Sequence, residues 1–332
     1  MKKIVLGAIL LGLSQTVFAT EILPTQVPVP KDNPLTEEKI ELGKQLYFDP
    51  RLSSSGTISC NSCHNVMAGG EDNRNVSVGI EGKTGGRSAP TVWNSAFYSV
   101  QFWDGRAPTL EEQAKGPITN PVEMGMPSHK VAVERIKSLK GYEVQFKKVF
   151  GGSNPVTIDN IAKAIASYER TLVTPDAPFD LYLKGDKKAM SEEQIKGFEL
   201  FKTVGCTSCH TGPIFAGPAL PVGTGFYMKF PTFPGTEFDK KYEFSKDLGR
   251  YDQTKNEAEK NMWRVPTLRN IALTAPYFHN GAVKTLDEAV KVMAKTQLNK
   301  DLSKDEVKKI AAFLHSLTGK FPEQKMPRLP MN

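Results

Sequence analysis

The four cysteines of the chain occur as two pairs with the same spacing, and each pair is followed at once by a histidine. The two segments are Cys60-Asn61-Ser62-Cys63-His64 and Cys206-Thr207-Ser208-Cys209-His210. This pattern is typical of c-type haem attachment, in which two thiols bond to the vinyl groups of one haem and the histidine binds the iron. Disulfides or a thioredoxin-like pair would not need the histidine. The sequence therefore predicts two covalently bound haem c groups, with His64 and His210 as iron ligands.

Methionine is a further candidate iron ligand, because a thioether sulfur can occupy the sixth position of a haem iron. Met293 follows the second segment, on a predicted helix with the sequence EAVKVMAKTQ. It shares a helical face with Ala289 and Thr296, so packing in the core is an alternative interpretation. Because a haem domain of this kind needs a sixth ligand, we predict that Met293 binds the second iron.

The first haem has several candidates for the corresponding position. Glu123, Met124 and Met126 lie close together in the sequence, and each has a side chain that could reach an iron. His129 and His315 fit better as residues at helix ends, His315 near a C-terminal end where an imidazole suits the helix dipole. The sequence therefore gives several candidates for the sixth ligand of the first iron and does not assign one of them.

An internal repeat relates the two halves of the chain. Residues 89–113 align without gaps with residues 265–289, so that Pro90 corresponds to Pro266, 176 residues further on. The other matches are Asn94 with Asn270, Phe102 with Phe278, Gly105 with Gly281, and Thr109-Leu110 with Thr285-Leu286. Trp103 corresponds to His279, and Met293 to Pro117, which has no ligand atom. The repeat predicts two related haem domains that arose by duplication.

Hydrophobic periodicity predicts a mainly α-helical protein built of two cytochrome c-like haem domains. The predicted helices cover 36–47, 109–115, 128–138, 157–172, 191–202, 285–297 and 303–317. Glycine- and proline-rich connections span 65–108 and 211–283, and 139–190 joins the halves. Such long loops suit a domain whose core is partly filled by haem. We predict an N-terminal haem domain over 20–180 and a C-terminal one over 181–332.

The first 19 residues have the features of a secretory signal peptide. Lys2 and Lys3 precede an apolar run, and the small residues before Thr20 suit cleavage after Ala19. The run is shorter than the roughly 20 residues that span a bilayer, so we expect no membrane span. We predict a periplasmic protein. The net charge of +7 comes without a run of basic residues and gives no indication of nucleic-acid binding.

The sequence resembles the bacterial di-haem cytochrome c peroxidases over essentially the whole chain after the signal peptide. The motifs that carry the resemblance are the two C-x-x-C-H segments, FWDGRA, NPVEM, VPTLRNIALTAPYFHNG and the methionine of EAVKVMAKTQ. The resemblance implies that the haem at His64 is the peroxidatic centre. It also implies that the haem held by His210 and Met293 is the centre at which electrons enter.

Further roles follow from the resemblance alone. Trp103 matches a tryptophan that lies between the haems and is a candidate electron relay. Glu123 matches a glutamate beside the first haem, where a carboxylate can transfer protons during O–O cleavage. Members of the family also bind Ca²⁺ between the domains, and the matching positions are Ser88, Thr274 and Pro276, the last two through backbone carbonyls.

Two positions depart from the family pattern. Many members have a histidine sixteen residues after the first proximal histidine, where it caps the peroxidatic iron until the other haem is reduced. Here that position is Ile80, which cannot bind iron, so we expect a first site that is open even when fully oxidised, unless a residue such as Met124 closes it. Ser88 replaces the usual asparagine at the calcium site, although its backbone carbonyl would still suit calcium.

The predicted reaction is the reduction of hydrogen peroxide to water. The electrons would come from a small periplasmic redox protein, either a monohaem cytochrome c or a copper protein, and the resemblance also suggests a homodimer. One alternative is an electron-transfer cytochrome without a substrate. Another is an enzyme that oxidises tryptophans of a partner protein, as in methylamine dehydrogenase maturation, but those enzymes have tyrosine where this chain has Met293.

Overall fold

The computed structural model describes residues 22–331, so the predicted signal peptide lies outside the described residues. The helices are α1 (Glu37–Phe48), α2 (Cys60–Cys63), α3 (Leu110–Thr119), α4 (His129–Lys137), α5 (Lys140–Phe150), α6 (Ile158–Glu169), α7 (Pro178–Leu183), α8 (Glu192–Val204), α9 (Glu237–Tyr242), α10 (Tyr251–Thr254), α11 (Leu286–Leu298) and α12 (Lys304–His315). Strands β1 (Tyr227–Lys229) and β2 (Met262–Arg264) form one antiparallel pair. Within this range no helix is both long enough and apolar enough to cross a membrane.

All seven helices expected from the periodicity are present, and side-chain caps define their N-terminal ends. The hydroxyl of Ser191 accepts from the Gln194 backbone amide, while the Gln194 side chain accepts from the Ser191 amide, a capping box that starts α8. Thr36, Thr157 and other residues before the helices cap in the same way through their hydroxyls. The expectation was incomplete in the connecting segments, which also contain α5, α7, α9, α10 and the two strands.

Two hydrophobic cores form around pairs of closely packed helices. In the first core, formed by residues between Leu42 and Leu172, α1 crosses α6 at Gly43. In the second core, formed by residues between Phe179 and Leu317, α8 crosses α12 at Gly197. Glycine at these crossings lets the backbones approach closely.

The predicted domain boundary after residue 180 stays a prediction, and two aromatic residues pack across it. Phe179 belongs to the second core. Phe321, near the C-terminus, packs against the first core and contacts Trp93 edge-to-face with the ring centroids 4.8 Å apart.

The aligned loops of the two halves have the same local backbone conformation. Asn94 and Asn270 are both left-handed, with φ of 63° and 61°. Their side-chain amides donate to the same hydroxyl, that of Thr174, over 2.8 and 2.9 Å. Phe102 and Phe278 also match, with φ of 67° and 71°. The two loops therefore meet at Thr174 in equivalent conformations.

Candidate haem-binding sites

The first C-x-x-C-H segment opens onto a cavity of about 630 Å³. Its walls include Cys60, Cys63 and His64. Well-packed protein interiors leave few voids larger than a water molecule, so a space of this size beside the motif fits a bound prosthetic group. The cysteines are free thiols and form no disulfide. Burial raises the pKa of Cys63 to about 11 and raises that of Cys60 further, so both thiols are neutral.

The ring of His64 is oriented by hydrogen bonds to the backbone. Its Nδ1 lies 2.9 Å from the carbonyl oxygen of Pro90, and the hydroxyl of Tyr47 donates to the backbone oxygen of His64 over 2.7 Å. A carbonyl can only accept, so Nδ1 carries the proton and Nε2 has a free lone pair. Burial lowers the pKa of His64, which favours the neutral ring that a metal requires.

The second segment is built in the same way. Cys206, Cys209 and His210 line a cavity of about 190 Å³, and the sulfur-containing side chain of Met293 lies in the same wall. Nδ1 of His210 lies 2.9 Å from the carbonyl oxygen of Phe215, which again leaves Nε2 free, and burial lowers the pKa of the ring. The residues predicted for the second haem are therefore brought together around one space.

Trp103 lies in the walls of both cavities. Its indole Nε1 donates to the carbonyl oxygen of Ser88 over 2.8 Å, and the amide of Ser88 donates to the carbonyl oxygen of His279 over 2.7 Å. His279, its counterpart in the predicted repeat, lines the second cavity. Arg264, which sequence reasoning did not single out, also lines both cavities and donates to the carbonyl oxygen of Phe102.

Glu123 lines the first cavity, where Asn120 Nδ2 donates to its Oε1 over 2.9 Å. Burial raises its pKa above the ordinary value, and the nearby positive charge of Arg106 opposes this only in part. Gln113 and Arg106 also line the cavity and were missed, because in the sequence they read as solvent-facing residues. The first cavity thus combines one imidazole with carboxyl, amide and guanidinium groups.

Ile80 is buried but does not line the first cavity. Its amide donates to the Glu123 carbonyl over 2.9 Å, and its side chain lies against Gly125. Of the two methionines considered for the first iron, Met124 lines the cavity and Met126 packs in the first core.

The calcium positions stay a prediction. The Ser88 carbonyl accepts from Trp103, and its hydroxyl lies 3.5 Å from the Arg74 carbonyl oxygen. Beside Thr274 and Pro276, the carbonyls of Leu273 and Ala275 accept from Asn73 Nδ2. Within residues 22–331 no group of three or more histidine, cysteine or acidic side chains is placed to hold a metal ion. A site made of backbone carbonyls would not require such a group.

Comparison with known proteins defines the class. A family model for di-haem cytochrome c peroxidase matches residues 37–188. The chain is 50% identical to a cytochrome c551 peroxidase of Nitrosomonas europaea, over 91% of this chain and 86% of that protein. It is 48% identical to a cytochrome c551 peroxidase of Pseudomonas aeruginosa, over 93% of this chain and 86% of that protein.

More distant relatives are also similar over most of the chain. The chain is 34% identical to the methylamine utilization protein MauG of Methylorubrum extorquens, over 92% of this chain and 86% of that protein. The crystal structure of a MauG-like protein associated with microbial copper homeostasis superposes with a TM-score of 0.78 at 29% identity, covering 90% of this chain and 95% of that one. The chain belongs to the di-haem cytochrome c peroxidase family and is an oxidoreductase with two haem groups.

Proposed function

We propose that this enzyme reduces hydrogen peroxide to water with electrons from a small periplasmic redox protein. The reaction consumes one peroxide, two protons and two electrons and forms two waters. The observation that carries the proposal is the difference between the two cavities. Met293 lies in the second cavity, whereas the first has Glu123 and no side chain from position 80.

The residues that would hold the haems are those around each motif. Cys60 and Cys63 would bond covalently to the first haem, and His64 Nε2 would bind its iron. The corresponding groups for the second haem would be Cys206, Cys209 and His210, together with the Met293 thioether as a further iron ligand. When bound, the haems supply the one-electron chemistry that these side chains lack.

Glu123 is the proposed proton-transfer residue. Peroxide must lose a proton from one oxygen and gain a proton on the oxygen that leaves, and one nearby carboxyl group can do both. The buried position of Glu123 raises its pKa, so that the protonated form is accessible closer to neutral pH. Asn120 fixes the carboxyl by its hydrogen bond to Oε1.

Trp103 is the proposed electron relay between the two sites. Its ring belongs to both cavity walls, and its Nε1 is fixed by the carbonyl of Ser88. Electrons from the donor, a monohaem cytochrome c or a copper protein, would enter at the Met293 site and leave at the Glu123 site.

The division into two duplicated domains, 20–180 and 181–332, is part of the proposal. It is supported by the matched loops that meet at Thr174. The proposal also includes a calcium ion held by the carbonyls of Ser88, Thr274 and Pro276. It further includes cleavage of the signal peptide after Ala19, a periplasmic location and assembly as a homodimer.

The first test is an EPR and visible spectrum of the fully oxidised, calcium-loaded holoprotein before any reductant is added. We expect one high-spin and one low-spin ferric haem, since Ile80 provides no cap. Two low-spin haems would mean that another residue, with Met124 the first candidate, closes the first site. Two low-spin haems that persist after half-reduction would overturn the peroxidase proposal in favour of simple electron transfer.

Turnover separates the two enzymatic alternatives. Reduced monohaem cytochrome c should be oxidised catalytically by hydrogen peroxide, with two cytochromes consumed per peroxide. Peroxide-dependent oxidation of tryptophans in a partner protein, without turnover of the cytochrome, would support the other class and contradict this one.

A further inference from the structure

Another carboxyl group that lines the first cavity lies at the end of α6. Glu169 is the last residue of that helix, its exposed fraction is only 6%, and it belongs to the cavity wall that contains Cys60 and His64. Its Oε2 has no hydrogen-bond partner. Burying a carboxyl group in this way is costly when the group is charged, because no donor replaces the lost water.

The neighbouring cation does not neutralise Glu169. The guanidinium of Arg170 forms two hydrogen bonds with Glu111, over 2.7 and 3.1 Å, and a third with the carbonyl of Pro28 over 3.2 Å. Arg170 is therefore already paired with another carboxylate. Its attraction for Glu169 is offset in part by the negative charge of Glu111.

The other groups around Glu169 carry no charge at neutral pH or lie at the surface. The titratable groups that interact with Glu169 or its neighbour Tyr168 are Tyr47 and Cys60 beside the cavity, and Glu41 and Lys44 on the outer side of α1. Burial raises the pKa of both Tyr47 and Cys60. Gln45, on the same helix as Tyr47, has a buried side-chain oxygen that also lacks a partner.

We propose that Glu169 takes up a proton when the first haem site gains an electron and releases it when that electron leaves. The electron comes from the redox donor and the proton from solvent, and the only bond made or broken is the O–H bond of the carboxyl group. The inference rests on the proposed binding of a haem in this cavity. An added electron makes the cavity more negative, which favours the protonated form of a buried, unpaired carboxyl.

The titration range of Glu169 agrees with this role. Burial raises its pKa to about 8, with Arg170 acting in the opposite direction. A group with this pKa is partly protonated near physiological pH, so a change of one charge in the cavity shifts its protonation substantially. Glu169 would thus hold one proton in the site independently of Glu123.

The test is a spectroelectrochemical titration of the holoprotein between pH 6 and 9, with the two haems followed separately. In the wild type we expect the midpoint potential of the first haem to fall with rising pH around pH 8. The slope of potential against pH should correspond to the uptake of up to one proton per electron. In Glu169→Gln this dependence should be lost, while the second haem is unchanged. Glu41→Gln is the control, because it removes an exposed acidic side chain from the adjacent helix. In this variant the midpoint potential of the first haem should depend on pH as it does in the wild type.

If the potential of the first haem had the same pH dependence in Glu169→Gln as in the wild type, the inference would be overturned. The dependence would then come from groups that both proteins contain, such as the haem propionates and Glu123. Infrared difference spectra of the wild type, reduced minus oxidised at pH 8, provide a check that needs no variant. A carboxyl band of the protonated form should appear on reduction and its absence would count against the proposal. Failure of haem incorporation or of peroxide turnover in the wild type would instead refute the proposed function.

Discussion

Replacement of Gly43 by alanine is expected to force apart the two helices that support the first haem site. Gly43 lies where α1 crosses α6, and an added Cβ would lie 1.8 Å from the carbonyl oxygen of Ala164 and 2.4 Å from its carbonyl carbon. Real Cβ atoms essentially never come closer than 3.0 Å to such atoms. The facing group is backbone rather than a flexible side chain, so the helices must separate by more than about 1 Å.

Two opposing effects determine the change in the free energy of unfolding. Alanine is favoured over glycine inside a helix by about 1 kcal/mol. Overpacking costs about 1–3 kcal/mol, and a contact with rigid backbone places this position at the upper end of that range. Separation of the helices also weakens the packing of Leu42 and Leu46, which are fully buried. We therefore expect Gly43→Ala to destabilise the protein by about 2 kcal/mol.

The chain contains a matched position in the other half and a control. Gly197, on α8, would place a Cβ 1.9 Å from the carbonyl oxygen of Lys309 on α12, so Gly197→Ala should cause a similar loss. Gly116, inside α3, would place a Cβ 3.5 Å from the side chain of Phe102, an ordinary van der Waals contact, and has no left-handed φ. Gly116→Ala should therefore be neutral or stabilising by up to about 1 kcal/mol, since alanine is favoured over glycine inside a helix.

Guanidinium chloride unfolding of the holoproteins, followed by far-ultraviolet circular dichroism, measures these differences. The reasoning would be refuted if Gly43→Ala were as stable as the wild type, or if Gly116→Ala lost as much stability as Gly43→Ala. Since Tyr47 on α1 donates to the backbone of His64, the visible spectrum of the first haem should also change in Gly43→Ala.

Three further predictions concern the sites and the packing between the halves. Glu123→Gln should lower kcat/KM for peroxide by about 10²–10⁴-fold at unchanged haem content, and an undiminished rate would exclude its role in proton transfer. Met293→Leu should convert the second ferric haem from low-spin to high-spin in EPR spectra, and an unchanged signal would mean that another residue is the ligand. Asp180→Asn leaves the buried guanidinium of Arg269 without its carboxylate, now 2.7 and 2.8 Å away, and should cost about 3–5 kcal/mol in unfolding experiments. Glu192→Gln, in an exposed pair, should cost less than about 1 kcal/mol, and equal losses would contradict the importance of burial.

Patterns that act over a few residues were sufficient to predict much of this protein. The two C-x-x-C-H segments and the seven helices depend on neighbours within one or two helical turns. Helix α5 was missed because only Tyr142 and Phe146 of its residues are buried, too few to give a clear period. The short helices α7 and α9 are six residues each and carry little periodic signal.

Tertiary packing decided which side chains reach the cavities. Position 80 could be excluded as a ligand from its residue type, but the direction of the Ile80 side chain, toward Gly125, depends on a loop contact. Glu169 reads in the sequence as an ordinary helix-terminal carboxylate, and only the packing of α1 and α6 with the first haem segment buries it beside Cys60. Residue type and local spacing determine the chemistry that is available, whereas long-range contacts determine which groups lose water and face the same space.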